Sequence, residues 1–262
     1  MHLDEELKSR DTLGDRMKDY EADALKHNMR ADEYVVIRLD GNHFHTWVKK
    51  VKMKKPFDSR MISAMMAATL RLCEKIPTCI MGYTQSDEIT LVLRKGETAE
   101  SDPWFSNRVQ KLCSISASIC SVEFNDAVRE QFGEEYVEPA YFDARVIFFP
   151  SLDEVINCLI WRQNDCIKNS VSALSHSLLP QKQLLNKNSD EQKKMMLELK
   201  GVDWNELPNY LKMGTLIHKE KVLVTYNGAE FKRGKFFCDE QIPRFSTDKQ
   251  FLVDAYNFKL ED

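Results

Sequence analysis

The 262-residue sequence is 43% hydrophobic and 30% charged, enough apolar material for one large domain or a core with an appendage and too much for a disordered chain. Thirty-seven Lys and Arg against 41 Asp and Glu leave a formal charge of −4, so any nucleic-acid binding must come from local clusters. No apolar run approaches the roughly 20 residues that span a bilayer, and the start MHLDEELKSRD is too charged for a signal-peptide core, so a cytoplasmic protein without a membrane partner is expected.

The first thirty residues read as polar and helical. Tyr34 to Leu39 (YVVIRL) is a short, apolar, β-branched run suited to a buried strand, which Asp40-Gly41 ends. Lys49, Lys50, Lys52, Lys54 and Lys55 then fall close together, as a solvated loop or a local anion-binding patch. After Pro56, Met61, Met65, Ala68 and Leu72 recur at helical spacing and share one face, with Pro77 marking the helix end. Cys79–Tyr83 and Glu88–Leu93 are strand candidates joined by Thr84-Gln85-Ser86-Asp87, which proposes a β-hairpin. The cysteines at 73, 79, 113, 120, 158, 166 and 238 form no CxxC pair and are odd in number; reduced, mostly buried thiols are expected, and no zinc site.

Pro103 to about Phe132 reads as a helix with Leu112, Ile115 and Ile119 at helical intervals. Tyr141 to Phe149 is a strand candidate, and Ser151 with Glu154 has the spacing of a capping box for a helix running past Trp161 to about Leu179. Beyond Pro180 the chain is polar, then helical, until Gly214 starts a predicted strand from Thr215 to Tyr226; the tail from Asn227 yields no element. The order strand, helix, strand, strand, helix, strand predicts an α+β fold with a ferredoxin-like sheet and its helices on one face, continued by a C-terminal helical and strand extension.

If these elements are placed correctly, Asp40 ends the first strand and Asp87 lies at the hairpin tip beside Glu88. Adjacent strands sit about 4.8 Å apart, so Asp40 and Asp87 could share one ion. Hard oxygen ligands suit Mg²⁺, and the unshielded carbonyl of Gly41 can add another. Each half read alone is as consistent with a turn; together with the lysine cluster they form a constellation able to hold two metal ions and a triphosphate. His43 and His45 alternate, so an extended stretch would point them the same way, toward a phosphate, a base or a metal. Phe44 stacks on a base or buries itself. Arg108 and Lys111, three apart on one helix, present two cations to the same side, as an exposed face or a phosphate clamp.

The stretches RLDGNHFH, KPFDSRM, YTQSDEITLV, WFSNRVQKL, YFDARV, FPSLDEVINCLIWRQNDC and KMGTLI resemble, in this order and at similar spacings, the tRNA(His) guanylyltransferase family and its Thg-like 3′–5′ polymerase relatives. The resemblance covers about residues 34 to 220. It implies a palm-like core of the polymerase and cyclase type over residues 1–150, with residues 151–262 packed on it and completing an RNA-binding surface. It also implies a homotetramer with tRNA and nucleoside triphosphates as partners. Its metal ligands fall on Asp40, Gly41 and Asp87 and its catalytic carboxylates on Asp40, Asp87 and Glu88; Glu88 completes the acidic motif, though an alternating neighbour of Asp87 can point away from the metal. Its nucleotide-binding segment falls on Asp40, Gly41, Asn42, His43, Phe44 and His45 with Ser86 and Asp87, and its triphosphate-binding cations on Lys55, Arg108 and Lys111.

The implied reaction uses two Mg²⁺ ions: ATP or GTP activates the RNA 5′ end, and the 3′-hydroxyl of an incoming nucleoside triphosphate then attacks it. Where eukaryotic-type members carry His-Ile-Asn-Asn, this chain has Ile167-Lys168-Asn169-Ser170, and Met213 stands where a lysine is expected. The sequence is in this respect more similar to bacterial-type relatives that repair 5′-truncated tRNAs. Two other classes compete: a nucleotide cyclase on the same palm, which needs no RNA, and a non-catalytic RNA-binding module that uses the lysines alone.

Overall fold

Both faces of the predicted first strand are apolar, and a strand buried on both sides needs cover on both sides. The computed structural model, which describes residues 33–96, 103–133, 138–226 and 229–260, supplies that cover; the predicted N-terminal helix lies outside the described residues. The elements are β1 (Tyr34–Gly41), α1 (Phe44–Lys50), α2 (Ser59–Lys75), β2 (Cys79–Gln85), β3 (Glu88–Leu93), α3 (Val109–Phe132), β4 (Phe142–Phe149) and α4 (Leu152–Leu178). After them come α5 (Gln181–Leu184), α6 (Ser189–Lys200), α7 (Asn209–Met213), β5 (Thr215–Tyr226), β6 (Ala229–Asp239) and α8 (Lys249–Tyr256).

The strands form one antiparallel sheet in the order β4-β1-β3-β2-β5-β6, of which the first four have the ferredoxin-like order expected. Val35, Ile37 and Leu39 of β1 and Ile89, Leu91 and Leu93 of β3 face a core shared with Ala64, Met65, Ala68 and Leu72 of α2 and with Leu112 and Phe124 of α3. The alternate residues Val36, Met81, Tyr83 and Val92 face Val155, Ile156 and Leu159 of α4 together with Phe245 and Leu252. Helices therefore cover both faces rather than one. The helix from Ser151 opens as expected, its hydroxyl accepting from the Glu154 amide at 3.4 Å.

Several boundaries differ from the sequence expectation. β1 continues through Gly41, and α1 follows where an extended stretch was expected. β2 runs to Gln85, so the hairpin turns on Ser86-Asp87 alone, with Ser86 at φ 51. The tail that gave no element contains β6 and α8. β5 pairs with β2 only from Thr215 to Ile217 and then continues with β6 alone, out to Tyr226 opposite Ala229. Among the described residues no helix is long and apolar enough to cross a membrane, and the seven cysteines are all free thiols.

Candidate active site

Strand pairing brings the acidic residues together. In the β1–β3 ladder Asp40 lies opposite Glu88, and the Gly41 amide donates to the Asp87 carbonyl at 3.0 Å. Asp40 is also opposite Asp143 of β4. Directly opposed residues share a face of the sheet, so Asp40 and Glu88 lie on the α4 face, with Asp87 at the turn beside them. Burial pushes the Asp87 carboxyl above the usual carboxylate range; a 3.0 Å hydrogen bond from the Ser86 hydroxyl opposes the shift and the charge of Asp40 adds to it. Burial likewise raises Glu88, against the pull of Arg162 and Arg38.

A buried carboxylate whose ionisation a neighbouring carboxylate also opposes is a setting that a hard cation relieves. Asp40, Asp87 and the Gly41 carbonyl fit such an ion. Among the described residues no group of three or more His, Cys, Asp or Glu side chains converges as a complete metal site, so waters and substrate phosphates would have to fill the shell.

Beside the hairpin tip opens a cavity of about 550 Å³. Ser86 and Asp87 of the hairpin and Phe44 and His45 of α1 line it, together with a lysine wall of Lys49, Lys52, Lys54 and Lys55. Asn169 of α4 and Tyr210 and Leu211 of α7 line it as well. The lysine wall is held by Asp58, whose carboxylate caps α2. It accepts from the amides of Lys54 (2.9 Å) and Arg60 (3.0 Å) and from the Arg60 guanidinium at 3.0 and 2.7 Å. Those bonds, the Arg60 side chain first, hold the Asp58 carboxyl down at about 2. In the sequence Asp58 is visible as a residue of the KPFDSRM stretch, and an Asp just ahead of a helical apolar face is itself a cap signal.

The structure thus gathers Phe44, His45, Lys55, Ser86 and Asp87 around one cavity, with Asp40 and Gly41 on the adjoining strand end. It also revises the local geometry around them. His43 is the left-handed N-cap of α1 (φ 55, ψ 30), its ring paired with the Asn42 side chain, while the Asn42 amide donates to the Tyr141 carbonyl at 2.8 Å. His43 and His45 do not share a direction, because the chain turns into a helix between them. Phe44 is buried against Trp47, Phe124 and Phe142, with ring centroids 4.9, 5.5 and 5.0 Å away. That ring explains Gly41: a Cβ there would lie 2.2 Å from Phe44 Cδ2, so close approach rather than a turn requires glycine.

Arg108 is the cap residue before α3 rather than part of it, its Nε donating to the Phe105 carbonyl at 3.1 Å, and Lys111 Nζ stands 5.9 Å from the Phe105 ring centroid. Neither lines the cavity. Ser170 is buried, donating to the Ile167 carbonyl (2.8 Å) and accepting from the Trp204 indole (3.1 Å); Ile167 and Met213 pack against apolar clusters. Sequence reasoning missed Arg162, whose Nε lies 2.8 Å from Glu88 Oε1; only its place in the WRQNDC stretch marked it.

A family model described as Thg1, tRNAHis guanylyltransferase, matches residues 14–150. The uncharacterized protein R259 of Acanthamoeba polyphaga mimivirus is 30% identical over 95% of this chain and 94% of its own length. A bacterial tRNA(His) guanylyltransferase (Thg1)-like protein solved in complex with ATP superposes with a TM-score of 0.82 at 33% identity, covering 95% of this chain and all of that one. The same description in complex with GTP gives a TM-score of 0.78 at 32% identity over 95% of this chain and 100% of that chain.

Proposed function

The chain belongs to the tRNA(His) guanylyltransferase family and is a nucleotidyltransferase, and we propose that it adds nucleotides to the 5′ end of tRNA in the 3′–5′ direction, the added base chosen by pairing with the opposite strand. The observation that carries this reading is the lysine-lined cavity that Asp87 also lines, Asp87 being next to Glu88, which pairs with Asp40 across the β1–β3 ladder. Nucleotidyl transfer needs a held triphosphate next to a site where phosphoryl charge can be neutralised, and here the two adjoin.

In this proposal the triphosphate lies along the lysine wall, with Lys55 making charge-assisted hydrogen bonds to it. The base occupies the apolar end of the cavity toward Tyr210 and Leu211. The 5′-monophosphate end attacks the α-phosphate of ATP, releasing pyrophosphate and leaving an adenylated end, and the 3′-hydroxyl of the next nucleoside triphosphate then attacks that activated phosphate and displaces AMP. Two Mg²⁺ ions on Asp40, Asp87 and the Gly41 carbonyl would supply charge neutralisation and a lower pKa for the attacking hydroxyl. Residues 151–262 complete the RNA-binding surface, and the working particle is a cytoplasmic homotetramer.

The test is incubation of the protein with labelled nucleoside triphosphates and Mg²⁺, with and without a tRNA lacking its first nucleotide. Extension only when the RNA is present supports the proposal. Product without RNA would favour a cyclase, and binding of RNA with no product would favour a binding module. A second arm compares kcat/KM for several 5′-truncated tRNAs with that for full-length tRNA(His). Ile167, Ser170 and Met213 stand where polar recognition residues are expected in histidine-specific members, so repair of truncated tRNAs should dominate. Strong preference for tRNA(His), lost when its anticodon is exchanged, would contradict this.

A further inference from the structure

Arg162 on α4 is 6% exposed, an unusual depth for a guanidinium. Its Nε lies 2.8 Å from Glu88 Oε1 and its Nη2 pairs with Asp165, while its guanidinium carbon sits 4.0 Å over the Trp161 ring centroid. Arg38 approaches the same indole at 5.6 Å. Arg162 Nε and Glu88 Oε1 are close but not aligned as a hydrogen bond, and neither atom has a hydrogen-bond partner among the described residues. Charge and packing, rather than bond direction, hold them together.

The location of this pair matters. Glu88 is the first residue of β3, directly after Asp87 and directly opposite Asp40. Arg162 is one turn of α4 before Cys166, which lines the cavity with Asn169 of the same helix. One helix therefore meets both the cavity and, through this buried pair, the base of the hairpin that carries Asp87.

We infer that Arg162 is a positioning residue: through its ion pair with Glu88 it fixes the Asp87 hairpin relative to Asp40, and Glu88 acts as a buried structural anion instead of a metal ligand. Removing one partner of a buried pair strands the other charge, whereas removing both leaves a neutral interior that can be equally stable. A 1 Å displacement at a reacting centre can cost about 10²-fold in rate. The inference rests on the proposed nucleotidyl transfer, and part of its test runs without RNA or nucleotide.

Arg162→Met, Arg162→Lys, Glu88→Gln and the double variant Arg162→Met/Glu88→Gln are compared by thermal melts in EDTA and by kcat and KM for ATP on a 5′-truncated tRNA. Arg162→Met should melt several degrees lower and lose roughly 10–100-fold in kcat with KM within about twofold. Arg162→Lys should recover part of both, and the double variant should be more stable and at least about tenfold faster than Arg162→Met. If Glu88→Gln alone abolishes activity and the double variant is no faster, Glu88 is a ligand and the inference fails. It also fails if Arg162→Met lowers the melting temperature but leaves kcat intact well below it, since Arg162 is then structural only. Inactive wild type with the expected melting cycle would count against the proposed function while keeping the ion-pair coupling.

Discussion

Asp87→Asn separates a metal-binding carboxylate from a merely buried polar group, because it should raise stability and destroy activity together. The Asp87 carboxyl is lifted by burial and by the charge of Asp40. Bridged strands run about 4.8 Å apart, so carboxylates at their ends lie on the order of 6 Å apart; at an effective dielectric near 20 their repulsion is roughly 3 kcal/mol. Asp40 is partly solvated, which discounts this to about 1 kcal/mol, or ~2–4 °C in melting temperature for a chain of this size. Asparagine keeps the acceptor that the Ser86 hydroxyl uses at 3.0 Å, so in EDTA Asp87→Asn should melt above wild type. A carboxyl whose folded pKa is raised above its unfolded value costs nothing below the ordinary range, and the cost appears as pH rises through the raised pKa. The advantage of the variant should accordingly shrink from pH 7 toward pH 4. With Mg²⁺ the order should reverse, wild type gaining stability and the variant not, and nucleotide addition should fall by roughly 10²-fold or more. A variant that melts below wild type in EDTA, or that keeps the Mg²⁺ shift, would refute the shared-ion reasoning.

Lys55→Ala should raise KM for the triphosphate by roughly 10- to 100-fold, the worth of one charge-assisted contact, and Arg108→Ala by less, because Lys55 lines the cavity and Arg108 does not; equal effects in a triphosphate titration would contradict that placement. Gly41→Ala should cost about 1–3 kcal/mol by overpacking, since the new Cβ meets the Phe44 ring at 2.2 Å; Phe44→Leu in the same chain should restore part of the melting temperature, and no recovery would point to a backbone cause. Asp58→Asn should destabilise by about 2 kcal/mol at neutral pH, since the carboxyl is held at about 2. That stability is present above the unfolded pKa and lost as pH falls through the folded one, so the gap between wild type and variant in urea melts should narrow on going from pH 7 to pH 3.

The parts of this fold legible in the sequence are those whose pattern is local. YVVIRL declares β1 by branching and polarity, the α2 face shows in its periodicity, and the hairpin shows in two apolar runs around a short polar link. Those local patterns put Asp40 at a strand end and Asp87 at a hairpin tip; the non-local β1–β3 pairing brings the two together. α1 escapes because Asp-Gly-Asn is the composition of a turn, and His-x-His alternates as a strand would; what fixes the helix is the burial of Phe44 and Trp47 against Phe124 and Phe142, partners far along the chain. β6 is hidden for the opposite reason. Its free ribbon with β5 has no buried face to impose alternation, and Phe231 remains 55% exposed. The Arg162–Glu88 pair joins residues with no local relation, and a WRQ triplet on an amphipathic helix gives no sign of which side its arginine will be buried on.

The packing of the three departures from the histidine-specific pattern, Ser170 buried and Ile167 and Met213 partly buried, bears on what chooses the RNA. Ser170 gives its only proton to the Ile167 carbonyl and accepts from Trp204, and Met213 fills space between two apolar clusters. A site that discriminates bases does so by leaving its own buried polar groups unpaired with the wrong one. These positions have no such group left to strand: the serine is already satisfied, and the isoleucine and methionine have none. In the proposed reaction, selection falls instead to the pairing of the incoming base with the opposite RNA strand and to cationic contacts that read phosphate geometry. The lysine wall is suited to that second task, since Lys49, Lys52 and Lys54 stand around the cavity without reaching a base-specific fork. In the proposed reaction the absence of an unpaired polar group at these positions goes with breadth of substrate, as repair of many truncated tRNAs would require.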